Sequence, residues 1–553
     1  MKKIVSFILS IIILLGSFAI GSNAQENISL DVLEFPEEAV SVFSEEILER
    51  ASTAEPFEAN KGYKDSGTYI SPYWECQIGQ KNIPVYSSLT YDYKTDIGVL
   101  QSYSHIWIAL TNKAASITLS SIEPNVRNAI VLPKSKGIVC DVSGENIAFD
   151  ITEYGIYTVL INDDSMQYAF TLFVEEYTDE EAEIENYKNK YGEENVAVFD
   201  KKYYELDTID LNNFKAVYFR RGSYFKATHL YDISDEASLT NIPVKRTFLN
   251  VQGKTDFVID GFGTFDFNSC DWKEVDPMSV TDCKNGYING LNFINPSHWT
   301  FYTYACENLT VNNISTTGYR MNSDGINICN SKNILVENSF ARTGDDSFSV
   351  KTMNPSYTAE NICFDSCVAW STKARCFGIT GEVEADISDV TFKNCSVVNR
   401  SATWDNDRLG SLCIIVENGK GNIDGVTFEN IEIHNDDGRA INCTVYGESI
   451  TDCQIKNVSF KNITYNGKEK LKISSNNHLN FSQKLCVIFY RFLTALNLNC
   501  SVTTKLFEYL GGNFVSVTFE NVTSGKIKIT KYNQCFFVKK SGCSDLNFIS
   551  DYC

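Results

Sequence analysis

Short runs of alternating apolar and polar residues, separated by turn residues, extend from about residue 84 to residue 176. His105–Leu110, Ala115–Leu119 and Gly155–Ile161 are three of these runs. Alternation with a period of two residues is typical of strands that bury one face, and frequent turns between such runs are typical of a β-sandwich. We therefore predict a small antiparallel β-sandwich over residues 84–177, preceded by a weakly patterned lead-in segment at residues 25–83.

A different pattern begins at about residue 196, where one unit of apolar and polar positions starts to recur. Glu307–Ile314 and Lys332–Ser339 are two copies of this unit. Its second residue falls at positions 308, 333, 361, 389, 425, 457 and 516, so the first three intervals are 25, 28 and 28 residues. A period of this length without helical periodicity indicates coils of three short strands that stack on one another. The sequence predicts an all-β fold, with a right-handed parallel β-helix over residues 196–553.

Two columns of aligned residues support stacked coils. The first column holds the same residue type in six units: Asn313, Asn338, Asn394, Asn430, Asn462 and Asn521. The second column lies one residue later and is apolar: Ile314, Cys367, Cys395, Ile431, Ile463 and Val522. A ladder of amides at a turn, above an inward apolar stack, is typical of stacked strands. We expect Asn338, Asn394 and Asn430 to stack with their side chains pointing inward.

Two segments interrupt these patterns. A charged stretch begins at Thr178–Glu181 and ends near Gly192, which predicts a capped surface helix within a linker at residues 178–195. Residues 470–511 replace about one coil with an apolar, helix-like run, and we treat them as an irregular insertion in the β-helix.

The first 24 residues have the pattern of an export signal. Lys2 and Lys3 precede an apolar run, and small residues at Ser22–Ala24 offer a cleavage site, so we predict a signal peptide at residues 1–24. An uncleaved membrane anchor is the alternative, because the apolar run approaches a spanning length. We expect a secreted or extracellular monomer, with attachment to the cell surface as the alternative, and no stable membrane insertion after cleavage.

Charge and cysteine usage narrow the function classes. The net charge of −22 argues against nucleic acid as a partner, because phosphates require a basic surface, and it fits a neutral glycan better than an anionic polymer. The 18 cysteines mostly lie inside apolar strand patterns, so we expect few or no disulfides, and no CxxC pair with histidines indicates zinc. Gly261–Gly263 lacks the remainder of a nucleotide fingerprint, and we predict neither cofactor nor metal.

Carboxylates gather at one point of the repeat. Asp324 is followed one coil later by Asp345 and Asp346, and aligning the strands places Asp324 beside Asp346. Neighbouring strands lie ~4.8 Å apart, so three like charges would share one patch and raise one another's pKa. Glycoside hydrolysis uses such a patch, because one carboxyl stays protonated as the acid while another stays ionised as the base. Calcium binding and an Asp-Gly turn are the alternatives.

Further polar and aromatic residues lie near the ends of the same strands. Lys351, Arg375 and Glu382 are candidate substrate-binding residues because they lie at strand ends near the Asp cluster. Trp299 is equally consistent with stacking on a sugar ring and with core packing. The five histidines lie outside these motifs, and we interpret them as structural.

The motifs resemble those of a known enzyme group. Asn-Ser-Asp-Gly at residues 322–325 and Gly-Asp-Asp at residues 344–346 look like the catalytic signatures of polygalacturonases, glycoside hydrolase family 28. The sandwich ahead of the helix resembles dextranases and isopullulanases of the related family 49. The resemblance implies an inverting, metal-free hydrolase in which Asp324, Asp345 and Asp346 are catalytic, with Asp346 or Asp324 as the acid. We expect carboxyl groups spaced for an intervening water.

The sequence departs from the polygalacturonase pattern on the two following coils. Alignment sets Phe377 at the position of that family's Gly-His-Gly histidine, and Leu412–Ile415 at its Arg-x-Lys motif. These departures predict weaker action on polygalacturonate than on a neutral α-glucan. The main hypothesis is a secreted polysaccharide hydrolase. A non-catalytic glycan-binding or adhesin β-helix is the alternative, and a polysaccharide lyase is a further one.

Overall fold

The computed structural model describes residues 30–42, 67–92, 99–122, 125–162, 165–231, 244, 246–401, 405, 408–446, 453–475, 513–541 and 543–549. The predicted signal peptide at residues 1–24 lies outside the described residues. Among the described residues, no helix combines the length and apolarity that a membrane crossing requires.

Two facing sheets form the N-terminal sandwich. The larger sheet has eight strands: Leu30–Val32, Val40–Ser41, Thr68–Ile70, Tyr86–Asp92, Val99–Leu110, Ala129–Leu132, Gly155–Ile161 and Ser165–Glu176. The smaller sheet has five: Trp74–Ile78, Lys81–Ile83, Ala115–Ser121, Asp141–Ser143 and Asn146–Ile151. Apolar side chains at alternate strand positions, such as Ile117 and Leu119, form the core between the sheets.

The sandwich differs from the sequence prediction in two respects. Trp74–Ile78 pairs with Ala115–Ser121, so strands from the predicted lead-in segment belong to the sandwich. Val99–Leu110 pairs in parallel with Ser165–Glu176, whereas it pairs antiparallel with its other neighbours, Tyr86–Asp92 and Leu30–Val32. The parallel pair is possible because the intervening chain crosses to the other sheet and back before it returns.

A helix at Glu180–Tyr191 follows the sandwich, where the sequence predicts one. The Asp179 carboxylate accepts a hydrogen bond from the Ala182 amide at 3.3 Å and caps the first turn, and Gly192 follows the last turn. The other helices among the described residues are short: Glu37–Ala39, Lys134–Lys136, Glu193–Asn195 and Gln534–Phe537.

Two long sheets of parallel strands form the C-terminal β-helix, as predicted. The first sheet contains Val196–Phe199, Tyr203–Leu206, Ala216–Ala227, Thr255–Asp266, Lys284–Ile294, Glu307–Thr317, Lys332–Glu337, Phe340–Thr343, Ala359–Asp365, Val368–Ser371, Ile387–Lys393, Ser396–Arg400, Ile423–Asp436, Ile455–Gly467, Phe514–Glu520, Thr523–Ser524, Ile527–Lys528 and Cys543–Ile549. The second contains Ile209–Asp210, Arg246–Gln252, Val275–Thr281, Phe301–Tyr304, Ile326–Cys329, Phe348–Thr352, Phe377–Val383, Leu412–Asn418, Ile441–Val445, Leu471–Ser475 and Val538–Ser541.

Each coil has three strands, as the repeat length predicts. In one coil these are Lys332–Glu337, Phe340–Thr343 and Phe348–Thr352, and each strand pairs with its counterpart in the next coil. The turn between the first two strands is made by one residue in the left-handed conformation, here Asn338 with φ 49°. Asn is among the few residues that adopt this conformation at low cost, which explains why the column is asparagine.

The Asn ladder exists, but it lies outside rather than inside the coil. The Asn430 amide donates to the Asn394 side-chain oxygen at 3.1 Å, and Asn462 donates to Asn430 at 2.9 Å. Asn338 donates to Asn312 instead. These side chains are exposed, so the expectation that they point inward is wrong. The left-handed turn residue projects its side chain away from the core, while the next residue, such as Ile431, enters it.

Stacked phenylalanines run through the core of the β-helix. The ring centroids of Phe392 and Phe428 are 5.0 Å apart, and those of Phe460 and Phe519 are 5.1 Å apart. Phe460 and Phe519 occupy adjacent strands although they flank residues 476–512, which lie outside the described residues. Leu471–Ser475 also continues the second sheet beyond the predicted start of the insertion at residue 470. The coil stack is therefore continuous past the interruption in the sequence.

The described cysteines are free thiols, and most of them are buried. Cys367 and Cys395 belong to the apolar core of the β-helix, as their place in the repeat predicts. Within the described ranges, therefore, packing of the coils rather than disulfide bonding holds the fold together.

The sandwich packs against the second strands of the coils through an aromatic interface. The Arg342 guanidinium lies 3.7 Å from the ring centroid of Trp370 and 4.5 Å from that of Tyr103 in the sandwich. Phe340 stacks on Tyr103 with centroids 6.1 Å apart. These buried contacts fix the sandwich beside the coils that carry the Asp cluster.

Candidate active site

The three aspartates lie where the second strand of a coil turns into the third. Ile326 pairs with Phe348 of the next coil, and this register sets Asp324 opposite Asp346 as the sequence predicts. The Gly325 amide donates to the carbonyl of Asp346 at 2.8 Å, which fixes the two turns against each other. The turn therefore positions the carboxylates through main-chain pairing.

The three carboxylates form one cluster, as the strand alignment predicts. One oxygen from each of Asp324, Asp345 and Asp346 lies within 4.8 Å of the others. Asp324 and Asp346 are each 2% exposed, so water screens their charges poorly. The Asp346 amide donates to Oδ1 of Asp345 at 2.9 Å, and Asn327 donates to Oδ2 of Asp324 at 3.0 Å. Asp324 Oδ1 is buried without a hydrogen-bond partner among the described residues.

Two buried cations balance this charge. Lys351 Nζ lies 3.6 Å from Oδ2 of Asp324 and 3.7 Å from Oδ2 of Asp346. Arg375 Nη1 lies 3.4 Å from Oδ2 of Asp346, and its Nη2 lies 2.6 Å from Oε1 of Glu417. In the described part of the chain, these aspartates are the carboxylates close enough together to bind a metal ion. Because side chains already supply positive charge there, the geometry favours acid–base chemistry over metal binding.

The environment drives the pKa values of the cluster apart. Burial, followed by the charge of Asp345, raises the pKa of Asp324 well above the usual range. Burial, followed by the charge of Asp346, also raises the pKa of Asp345. Burial alone would raise the pKa of Asp346, but Arg375 and Lys351 outweigh burial and hold that pKa below its usual range. These shifts in opposite directions favour a protonated Asp324 beside an ionised Asp346.

A β-bulge brings Glu382 to the same site. Val350 pairs with Ile379, but Thr352 pairs with Val383, so the second strand carries extra residues between these pairs. Glu382 lies in this bulge, and its Oε2 is 3.5 Å from Lys351 Nζ. Lys351 therefore contacts Asp324, Asp346 and Glu382. Burial alone would lower the pKa of Lys351, but these carboxylates outweigh it and raise that pKa.

The structure corrects the alignment of the following coil. The Phe377 ring is buried in the core and stacks on Phe348 with centroids 5.0 Å apart, so it cannot take the place of a side chain that faces the cluster. Phe377 pairs with Phe348, two residues after Asp346, so the residue opposite Asp346 is Arg375. On the next coil, the strand Leu412–Asn418 places the acidic residue Glu417 beside Arg375. The polygalacturonase pattern has the basic Arg-x-Lys motif on this strand.

Sequence reasoning missed or undervalued three residues that border the site. The Trp299 ring centroid lies 4.8 Å from Lys351 Nζ, so this residue belongs to the site. His298, interpreted as structural, stacks on Trp299 with centroids 5.8 Å apart. The sequence pattern did not single out Glu417, because its position depends on a register shift between the strands Phe377–Val383 and Leu412–Asn418. The predicted residues Lys351, Arg375 and Glu382, by contrast, all lie in contact with the cluster or with one another.

A family profile and several curated proteins match this chain. The profile described as Glycosyl hydrolases family 28 matches residues 200–484, slightly more than half of the chain. An alpha-L-rhamnosidase of Aspergillus niger is 25% identical over 39% of this chain and 57% of its own length. Polygalacturonase-2 of Solanum lycopersicum is 23% identical over 43% of this chain and 55% of its own length. The chain therefore spans little more than half the length of these curated relatives.

A solved structure shares the arrangement of sandwich and β-helix. Dex49A from Penicillium minioluteum superposes with a TM-score of 0.56, covering 89% of this chain and 96% of that protein at 10% identity. At this identity the likeness shows the fold alone. The profile match across the coils that hold the Asp cluster shows the family, and the chain belongs to glycosyl hydrolases family 28.

Proposed function

We propose that this protein hydrolyses glycosidic bonds of a polysaccharide by acid–base catalysis at Asp324, Asp345 and Asp346. The observation that carries the proposal is the buried cluster itself, in which one oxygen of each carboxylate lies within 4.8 Å of the others. A structural role does not require three clustered carboxylates at one turn, two of them buried, because their mutual repulsion destabilises the folded state. Lys351, Arg375, Glu382 and Trp299 would surround a sugar bound at the cluster.

The proton distribution favours Asp324 as the general acid. Its raised pKa favours the protonated form that a general acid needs, and its Oδ1 is free of hydrogen bonds within the described residues. Asp346 is held ionised by Arg375 and Lys351, as a base that activates water must be. In the reaction, the acid protonates the leaving glycosidic oxygen while the base accepts a proton from the attacking water.

We propose inversion of the anomeric configuration, and the support is the family rather than the spacing. Inverting enzymes usually separate the two carboxyls by about 6.5–9.5 Å, and retaining enzymes by about 5–5.5 Å. One oxygen from each carboxylate lies within 4.8 Å of the others here, so the closest approach of the groups does not by itself support inversion. The attacking water would bind beside the cluster on the substrate side.

The charges at the site support a neutral sugar at the cleavage point. Lys351 and Arg375 both contact the site's own carboxylates, and Glu382 and Glu417 add further negative charge around them. A uronate carboxylate would have to compete with these acids for each cation. An alpha-L-rhamnoside, the substrate type that the name of the Aspergillus niger relative indicates, and a neutral α-glucan both avoid this competition.

The test is a panel of dextran, pullulan, an alpha-L-rhamnoside and polygalacturonate, with Asp346→Asn as the inactive control. We expect reducing ends to appear from a neutral substrate faster than from polygalacturonate, without unsaturated products. Unsaturated products would show a lyase. Absence of products from every substrate would favour the glycan-binding alternative, and vigorous hydrolysis of polygalacturonate alone would overturn the neutral-sugar assignment.

We also propose that the protein is exported, which the N-terminal pattern around Lys2, Lys3 and Ser22–Ala24 supports. Expression of the full chain, followed by N-terminal sequencing of the extracellular protein, should give a start immediately after Ala24. Retention of the intact chain in the membrane fraction would contradict cleavage.

A further inference from the structure

A long groove separates the sandwich from the β-helix, away from the Asp cluster. It encloses about 990 Å³, and the proposed mechanism uses none of its lining residues. Six successive coils contribute one residue each to its floor: Asn313, Asn338, Ser366, Asn394, Asn430 and Asn462. With ~4.8 Å between coils, this floor is on the order of 24 Å long. Its length suits an extended chain molecule rather than a compact ligand.

The floor offers a regular array of amides. Asn430 donates a side-chain N–H to Asn394 and Asn462 donates one to Asn430, whereas Asn394 donates to Asp365 and Asn338 donates to Asn312. A primary amide has two N–H donors and two acceptor lone pairs, so each coil retains capacity for another partner. Tyr218 and Tyr287 line the end of the groove nearest the linker helix and add aromatic surface.

That end also contains a buried donor and acceptor that the protein leaves unused. Arg221 Nη1 and Glu175 Oε1 are both buried without a hydrogen-bond partner among the described residues, and both residues line the groove. The other two atoms of these groups, Nη2 of Arg221 and Oε2 of Glu175, form an ion pair across the interface, which fixes both side chains. A buried unpaired polar atom is costly unless a ligand satisfies it. Both atoms expose almost no surface, so a sugar hydroxyl, which both donates and accepts, would satisfy them only after the residues covering them shift.

The charges select against an anionic polymer. The cations that line the groove, Arg221 and Lys136, are already in ion pairs with Glu175 and Glu153. Three further acids add negative charge to the lining: Asp260, Glu180 and Glu432. From these observations we propose that the groove is a second, non-catalytic binding site for a neutral polysaccharide chain. The choice of a polysaccharide as the ligand rests on the proposed function, but binding in the groove can be measured separately from hydrolysis.

The test measures binding of dextran and of pullulan by affinity electrophoresis, using Asp346→Asn to prevent hydrolysis. Ser135→Trp and Thr464→Trp place bulk in the groove from exposed positions on its two walls. Ser143→Trp, on an exposed strand of the smaller sheet, is the matched control. We expect the combined groove variant to weaken binding by about tenfold or more, and the control to change it by less than about twofold.

Hydrolysis separates this proposal from the proposed function. With the Asp cluster intact, the groove variant should cleave a short oligosaccharide normally while its KM for the polymer rises. If the groove variant binds polymer as tightly as the control, or if Asp346→Asn binds neither polymer, the second site is ruled out. A wild-type protein that binds in the groove but hydrolyses nothing would overturn the proposed function and leave this site standing.

Discussion

Arg375 Nη1 lies 3.4 Å from Oδ2 of Asp346, across the step between two successive coils. Arg375, which lowers the pKa of Asp346, therefore contacts a carboxylate of the preceding coil. Because Arg375 also binds Glu417 on the next coil, it connects three coils through one side chain. The ionisation of the site thus depends on the stacking of coils as well as on the Asp motif.

Arg375→Gln should move the acidic limb of the pH–activity profile. Arg375 lowers the pKa of Asp346, so its loss should raise that pKa, and the base would be protonated at higher pH. We expect the acidic midpoint of kcat/KM to rise by about 1–3 pH units. Arg439→Gln, which removes an arginine paired with Glu469 farther along the β-helix, is the control and should leave the midpoint in place. An unshifted midpoint in Arg375→Gln would show that Arg375 does not set the ionisation of the base.

Each Asp→Asn change in the cluster should lower kcat by about 10²–10⁴-fold, because the amide keeps the size of the carboxyl but cannot exchange a proton. Asp389→Asn, at an exposed position of the strand Ile387–Lys393, should retain activity. Aryl glycosides with a good leaving group identify the acid, since such substrates need little protonation. They should restore activity to Asp324→Asn but not to Asp346→Asn, and the reverse result would assign the acid to Asp346.

Asp324→Asn should stabilise the protein at neutral pH. The folded pKa of Asp324 lies above its unfolded value of about 3.9, so the folded state binds the proton more tightly than the unfolded state. Stability is therefore lost as pH rises from the unfolded pKa through the folded pKa. The variant should gain about 1.4 kcal/mol for each unit of that difference at high pH, and nothing at about pH 3. Thermal unfolding across this range, with Asp389→Asn for comparison, measures the effect; equal stabilities at pH 7 would contradict it.

The products should have the inverted anomeric configuration. Fresh product examined by proton NMR during the first minutes of hydrolysis distinguishes the anomers before mutarotation mixes them. Retention would contradict the expectation from the family, and would agree with the close spacing of the carboxylate oxygens.

Asn394→Ala and Asn394→Gly should differ in stability. Asn394 has φ 54°, where a non-glycine side chain costs roughly 1–2 kcal/mol, and its exposed ladder hydrogen bonds contribute about 0.5–1.5 kcal/mol. Alanine incurs both losses, whereas glycine incurs the second with little strain. Urea unfolding should therefore rank the proteins as wild type, then Asn394→Gly, then Asn394→Ala. A glycine variant less stable than the alanine variant would show that backbone conformation does not determine this turn.

The sequence by itself determined the repeat, the three-strand coil and the Asp cluster. Each follows from short-range order: the apolar period within a strand, the asparagine that turns the chain, and the interval that returns Asp346 beside Asp324. These features repeat at nearly constant spacing, so their alignment requires no knowledge of distant contacts. The same reasoning places Lys351 near the cluster, because its strand Phe348–Thr352 pairs with Ile326–Cys329, which follows Asp324.

Only the tertiary structure decided which neighbours complete the site and what the sandwich faces. The bulge that brings Glu382 to Lys351, and the register that sets Arg375 rather than Phe377 against Asp346, depend on how whole coils settle on one another. A one-residue difference in register exchanges core and surface positions, and no local pattern fixes it at a bulge. The groove between Arg221 and the Asn ladder arises from the packing of two separately patterned parts of the chain. Their mutual position is set by buried contacts such as that of Arg342 with Tyr103, which are distant in sequence.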